Sequence, residues 1–440
     1  MCSALFRARC GVRVWGLVLR QAGWVVLALA DVTAAVARYA GRLHRVAGEG
    51  HHVASPLGAW LLLALCGPAS SGDARAELAE VVGCDLDEAA AVARVLLWVS
   101  HGQLAAAAGV WWRAGASTDR LARWLAGLPP GAETGQLAGQ AALDDWADRS
   151  TGGMISKFPV DLPPKVLLVL ATALAARISW QAPFDVVPGT ALGPHSPWAS
   201  QLPQVLRTPR GGRGHEQFIA TTAEAGDVAV HSATAAGREL LVTSVAAQPG
   251  VPSADVLAAG YRLATALACG GHVEKRSLFD LPLGPAPLWE ITEQPAQVES
   301  PGGREQKCTA VLPAWSADSL HDLARDPGLG FGAAAATLAG LLGQGQLEYQ
   351  ARQAATARYS RTGFEAAAVT GAVVARGFPI TRPGLLRTAE LRFGQPFAVI
   401  AVTTERDPHR RRDPVPRSPW HGLPVFSAWI TQPENAGNPT

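Results

Sequence analysis

From Asp31, the stretch "DVTAAVARYAGRLHRVAG" spaces Val32, Val36, Tyr39, Leu43 and Val46 by alternating steps of four and three, the stripe of a helix with one apolar face. Such a face needs a core to cover it. "SPLGAWLLLALCGPASSGDARAELAEVVG" predicts a buried apolar helix, a Gly/Ser break and a second helix from about Asp73, and helical pattern continues to about Leu128. The pattern then changes. "KVLLVLATALAARISW" is apolar on every face and suits a central strand buried on both sides better than a surface helix. Beyond it, "GDVAVHSA" and "RELLVTSVAA" predict strands, "SADSLHDLARDPG" a helix, and "PFAVIAVTT" with "LPVFSAWI" a terminal strand pair. Helices early and strands late indicate α+β rather than alternating βαβ. No internal repeat occurs, and no linker is rich enough in Pro, Gly or Ser to separate two domains.

Composition supports a large core: 440 residues, 48% of them apolar, with a mean hydropathy of +0.12. A formal charge of +2 gives no argument for a nucleic-acid partner or a membrane surface. Lys157, Lys165, Lys275 and Lys307 are the only lysines, and that skew towards arginine fits the coding bias of a GC-rich genome. Cys2, Cys10, Cys66, Cys84, Cys269 and Cys308 lack CxxC spacing, which argues against a zinc site, a redox pair or a dense disulfide framework. The histidines include no HExxH, and His51-His52 has no further ligands at helical spacing, so no metal and no cofactor are expected. There is no GxGxxG after a strand, no GxxxxGK and no GxSxG, and no nucleophile motif stands beside a base. An enzyme is therefore not expected.

The N-terminus admits three readings. Arg7, Arg9 and Arg13 precede "VWGLVLRQAGWVVLALAD", and Ala28-Leu29-Ala30 fits the small-x-small rule of a cleaved secretory signal. Arg20 and Gln21 interrupt the run, which stays short of the ~20 residues a membrane span needs. A signal, a translation start placed too early and a long first helix all fit. Residues 1–30 are taken as an extension, with an extracellular location favoured over a cytoplasmic one.

"TGFEAAAVTGAVVARGFP", Thr362 to Pro379, carries only Glu365 and Arg376 as charges. An exposed run of Ala, Val, Thr and Gly is an aggregation hazard unless it is covered or a partner strand awaits it. By composition alone it reads as a buried strand or helix.

Five segments, in order over roughly residues 31 to 435, give this run another meaning. They are "ASPLGAW" with "GPASSGDARAEL"; "LDDWADRSTGGMI", with Trp146, Thr151, Gly153 and Ile155; "LLVLATALAARISWQAPFD", with the W-x-x-P-F feature at Trp180, Pro183 and Phe184; "LPAWSADSLHDLARDPGLGFG", matched as P-x-F, helix, L-G; and "RFGQPFAVIAV" with "LPVFSAWITQP". Together they resemble the serpin family. The resemblance implies a single α+β domain over residues 31–440, with a large central mixed β-sheet, two smaller sheets, about eight or nine helices and an exposed reactive loop at about 361–388. It also implies a monomer that inhibits a serine or cysteine protease: the target attacks the loop, is acylated, and is trapped when the cut loop inserts as a new central strand. The alternative is a non-inhibitory binding or storage protein whose loop is cleaved without trapping.

On this resemblance the hinge is Gly363, Phe364, Glu365, Ala366, Ala367, Ala368, Val369 and Thr370. Alternate residues of a strand share a face, so Phe364, Ala366, Ala368, Thr370, Ala372 and Val374 form one uncharged set, and Glu365 falls in the other. Family pattern usually has Thr or Ser where bulky Phe364 stands, so slower insertion is expected. Ser55, Gly58 and Thr172 fall in the region that gates sheet opening, where Gly58 and Thr172 replace the usual Ser and Asn. Counting from Gly363 puts the reactive bond at Gly377-Phe378, or one residue earlier at Arg376-Gly377, the preferred assignment. Counting back from "RFGQPF" puts it near Leu385, and Arg382 is followed by Pro383, a poor leaving side. "ERDPHRRRDPVPR" is read as a solvated hairpin tip rather than a polyanion site.

Overall fold

The computed structural model describes residues 32–116, 118–163, 165–345, 348–364, 381–404 and 418–437. The three readings of residues 1–30 and the hairpin tip at 405–417 lie outside the described residues. Among those described there are eight α-helices and four hydrogen-bonded sheets.

The early helices follow the apolar pattern. Helix α1 (32–47) buries Val32, Val36, Tyr39 and Leu43, the predicted stripe. Helix α2 (Pro56–Cys66) starts with Ser55 as N-cap and proline at its first position, a favoured start because that proline lacks an N–H the helix could not use. It is buried almost all round. Helix α3 (Gly72–Val82) ends at Gly83 in the left-handed conformation, and α4 (Leu86–Trp98) is capped by the Asp85 carboxylate, which accepts from Asp87 N and Glu88 N.

The helical pattern does not run on to Leu128. Leu104–Trp112 forms a strand, β2, followed by the short helix α5 (Asp119–Leu125). Alanine favours a helix locally, but this segment pairs along its whole length with β4 (Leu168–Ala176) and in part with β3 (Glu133–Gln136), and that ladder overrides propensity. Gly109 is required here: a side chain on it would lie 2.1 Å from the Trp111 ring.

Strand β4 confirms the reading of "KVLLVLATALAARISW". Val169, Ala171 and Ala173 pack with Trp146 of α6 (Gln140–Thr151) on one face, while Leu174 joins the core around α2 on the other. The chain continues through Arg177 into β5 (Ile178–Ser179). There it meets β16 (Gly363–Phe364), β15 (Arg352–Tyr359) and β14 (Trp315–Asp322). The β3-β2-β4 and β14-β15-β16-β5 sheets are thus two parts of one large central sheet, joined by the continuous β4/β5 strand.

A second sheet runs β1 (His52–Ala54), β19 (Pro424–Ile430), β18 (Phe397–Thr403), β10 (Leu240–Ala246), β9 (Gly226–Thr234) and β8 (His215–Thr222), all antiparallel. Its β18–β19 pair is the predicted terminal pair, covered by α7 (Ser253–Cys269). The remaining sheet orders β11 (Gly284–Pro285), β12 (Trp289–Val298), β17 (Arg382–Arg392), β13 (Arg304–Leu312), β7 (Gln204–Arg207) and β6 (Asp185–Pro188). Helix α8 (Phe331–Leu341) packs behind the central sheet.

Two further expectations are corrected. "SADSLHDLARDPG" is no helix: its first half lies in β14, where Trp315, Ala317 and His321 point inward and Asp318 and Leu320 outward, a period of two. The helix after it is α8, which starts at Phe331. Strand β17 begins at Arg382, so residues 382–388 of the loop expected at about 361–388 are held in a ladder with β12 and β13.

Candidate functional site

The candidate site is a slot in the central sheet. At its upper end the chain leaves β15 at Tyr359 and reverses tightly. Ser360 N donates to Gly363 O at 2.9 Å, and Ser360 Oγ donates to the same oxygen at 3.0 Å. Trp180 N and Phe184 N donate to Thr362 O and Arg361 O, and the Trp180 indole donates to Ser360 O at 2.9 Å. The turn is therefore clamped by the W-x-x-P-F segment. Gly363 and Phe364 emerge between β15 and β5, antiparallel to both, with Phe364 opposite Tyr359 on one side and Ile178 on the other. A side chain on Gly363 would lie 2.1 Å from Ile178 O, so only glycine fits.

Phe364 is 3% exposed. Its ring meets Trp315 edge-on, with centroids 6.1 Å apart, and Trp315 in turn stacks on Tyr359 at 5.9 Å. Trp180 and Phe184 complete this aromatic group. Beneath Phe184 lie His215 and His231, joined Nδ1 to Nε2 at 3.1 Å; burial lowers the pKa of both, that of His231 well below the usual histidine range.

Below β16 the sheet is open among the described residues. Among the described residues β4 pairs only with β2, and β15 pairs with β14 and, at Tyr359, with β16. The facing edges of β4 and β15 present backbone donors and acceptors across a cavity of ≈ 420 Å³, an arrangement that invites an added strand. Helix α2 and the Phe331 end of α8 floor this slot, and α6 with the segment after it covers the outer side. At the lower end Lys165 contacts Glu348 across the gap, an exposed pair worth at most about 1 kcal/mol.

Both edges are tied to the start of α2 rather than to each other. Thr172 Oγ1 of β4 donates to Gly58 O at 2.7 Å. On β15, Gln353 accepts from Ser55 N at 2.9 Å and donates through Nε2 to Ser55 O at 2.8 Å. Ser55 Oγ donates to Val425 O and accepts from Gly58 N. Gly58 has little room for a side chain, which would meet Ser55 Oγ at 3.2 Å and Leu174 at 3.3 Å.

The structure thus brings Ser55, Gly58 and Thr172 together, and it seats Gly363 and Phe364 at the head of the slot. The other expected hinge residues, Glu365 to Thr370, and the bonds at Arg376-Gly377 and Gly377-Phe378 lie outside the described residues. The count that placed a bond near Leu385 is excluded, because Leu385 pairs with Pro295 and Arg304 inside a sheet.

Gln353 was missed by sequence reasoning. It shares the inward parity of Ala355, Ala357 and Tyr359, and a polar side chain on an inward position needs a buried partner. His321, read as helical, was missed for the same reason. On β14 its Nε2 reaches Val53 O at 2.7 Å, and its ring sits edge-on to His52, which bonds His44 at 2.8 Å. Burial lowers the pKa of His44 to about 3 and of His52 to about 4. Burial likewise pushes the Cys66 thiol up to about 12, so it serves as packing.

No family model and no curated protein matches this chain by sequence. Solved structures do match it in shape. The thermophilic serpin tengpin, in its native state, is similar at a TM-score of 0.60 and 12% identity, over 90% of this chain and 93% of that one. Human thyroxine-binding globulin, solved with thyroxine, gives 0.59 at 13% identity, over 93% of this chain and 100% of that one. A serpin of the insect Tenebrio molitor gives 0.55 at 16% identity, over 93% and 98%. The chain has the serpin fold.

Proposed function

We propose that this serpin-fold chain is a suicide inhibitor of a serine protease, in which the segment after Phe364 enters the open slot once the loop is cut. One observation carries the reading: Gly363 and Phe364 are already paired on both sides at the head of a slot whose two lower edges are unpaired among the described residues.

Continuing that register downward sets Ala366 opposite Ala176, Thr370 opposite Thr172 and Val374 opposite Leu168. Ala366 to Val374 would then match the nine residues of β4, about 30 Å at ~3.3 Å per residue. The residues sharing Phe364's inward face would be Ala366, Ala368, Thr370, Ala372 and Val374, all uncharged, while Glu365 would face outward. Paired on both sides, a strand of this length would gain on the order of 10 kcal/mol at ~0.5–1.5 kcal/mol per bond. Arg376-Gly377 as the reactive bond would lie just beyond the lower end of β4, so insertion would carry an acylated protease the full length of the slot.

A second reading, a binding or storage protein whose loop is cut without trapping, draws support from the likeness to thyroxine-binding globulin, which was solved with thyroxine. Incubation with trypsin-like and subtilisin-like proteases separates the two. The inhibitor gives a detergent-stable adduct, and cutting near Arg376 raises the melting temperature. Clean cleavage by every protease, with the melting temperature unchanged, would overturn the inhibitor reading in favour of the second.

A further inference from the structure

We propose that the pocket between α4, α5 and α8 binds a compact organic phosphate or sulfate ester. Its cavity, ≈ 650 Å³, falls in the range of small-molecule sites and exceeds the needs of a bare tetrahedral anion. Arg94 of α4 and Arg120 and Arg123 of α5 line it, and among the described residues no aspartate or glutamate does.

Most arginines with a described partner in this chain face a carboxylate, as Arg75 does with Asp87, Arg262 with Glu224 and Arg387 with Glu293. Arg94, Arg120 and Arg123 form no such ion pair among the described residues. The described bonds of Arg94 and Arg123 run only from Nε to a carbonyl on their own helix, at 3.3 and 3.2 Å. Their Nη groups are therefore available. Three like charges around one cavity raise its affinity for an anion, and guanidinium forks match phosphate and sulfate oxygens two at a time.

The rest of the lining suits an apolar body on the ligand. Leu65, Leu128 and Trp124 supply carbon surface; the Trp124 indole donates to Leu65 O at 2.9 Å and fixes α5 against the end of α2. Small residues keep the space open, above all Gly340 of α8, whose missing side chain would meet nothing within 4 Å. Helix α8 walls this pocket with Thr337, Gly340 and Leu341 and floors the slot with Phe331, Ala334 and Leu338. An occupied pocket is thereby placed to alter how readily the sheet parts. That consequence rests on the inhibitor reading, whereas the binding does not.

Calorimetric titration of the intact, uncut protein with phenyl phosphate, phenyl sulfate and inorganic phosphate, at matched ionic strength, tests the site. One saturable event is expected, tighter for a phenyl ester than for inorganic phosphate; the preferred ester identifies which source of the shared chemistry the pocket takes. The Arg120→Ala/Arg123→Ala variant should weaken binding by about tenfold or more, the loss of about 1.4 kcal/mol or more of charge-assisted bonding. Gly340→Leu, which keeps all three arginines but fills the cavity, should weaken the phenyl esters more than inorganic phosphate. Replacing Arg410, Arg411 and Arg412 with alanine should change nothing. No saturable binding below ~10 mM, or binding lost in the 410–412 variant and retained in both pocket variants, would overturn the proposal.

Discussion

Replacing Phe364 with alanine removes the ring that anchors the loop at the head of the slot. With 3% of the residue exposed, the side chain is as buried as a core phenylalanine, and truncating such a residue costs about 3–5 kcal/mol, including roughly 0.5–1.5 kcal/mol from its edge-on contact with Trp315. Strand β16 has only two residues, so the chain can instead respond by letting β16 lift away, which caps the loss at the free energy of docking that segment. A fall of at least about 2 kcal/mol in stability is expected from urea denaturation. Amide exchange reports the same event locally. The Trp180 and Ser360 amides, which donate to Thr362 O and Gly363 O, should exchange about thirtyfold faster for 2 kcal/mol of lost docking. Phe364→Leu should recover most of both effects. An unchanged urea midpoint together with unchanged exchange at these two amides would refute the anchoring role. On the inhibitor reading proposed above, the seat for the ring is already formed, so Phe364→Thr should not increase the fraction of protease trapped, contrary to what the size of Phe alone suggests.

Gly363→Ala should expel β16, since the added carbon would lie 2.1 Å from Ile178 O; limited proteolysis should then cut at 361–364, and a variant as resistant there as the parent would contradict the close approach. Gln353→Ala leaves the Ser55 amide without its partner, while the Ser55 carbonyl keeps only its bond from Ala59 N, and should destabilise the fold by about 1–3 kcal/mol in chemical denaturation, with Thr172→Val acting in the same direction through Gly58. Stability should also fall in acid. Burial holds His44 and His52 neutral, with folded pKa values of about 3 and about 4, both below the unfolded value; stability is therefore full above about pH 6.5 and declines as pH falls towards those values. At pH 5 the loss is about 2 kcal/mol per histidine. Urea midpoints between pH 7.5 and 5 measure it, and an equal slope in His52→Gln would show that this pair is not its source.

Several elements were determined by sequence alone, for a common reason. The stripe of α1, the all-apolar α2, the doubly covered β4 and the β18–β19 pair each show a hydrophobic pattern whose period matches their own geometry, so local reading sufficed. Order along the chain, with Trp180 and Phe184 in register, was enough to suggest the fold. Tertiary structure decided the rest. β2 is alanine-rich and locally helical, yet the ladder with β4 makes it a strand; β14 was obscured because a run of mixed polar residues fits two periods, and only its pairing with β15 selects one. The Gly363–Phe364 segment depended most on partners remote in sequence. Phe364 is a bulky residue in a small-residue run until Trp315 and Tyr359, brought to it by β14 and β15, surround its ring. Gln353 gains its meaning only when Ser55, 298 positions away, lies against it. Hydrophobic periodicity is written along the chain, whereas a buried hydrogen bond or an aromatic seat is satisfied by whatever the fold brings near, and that distance is not encoded in neighbouring residues.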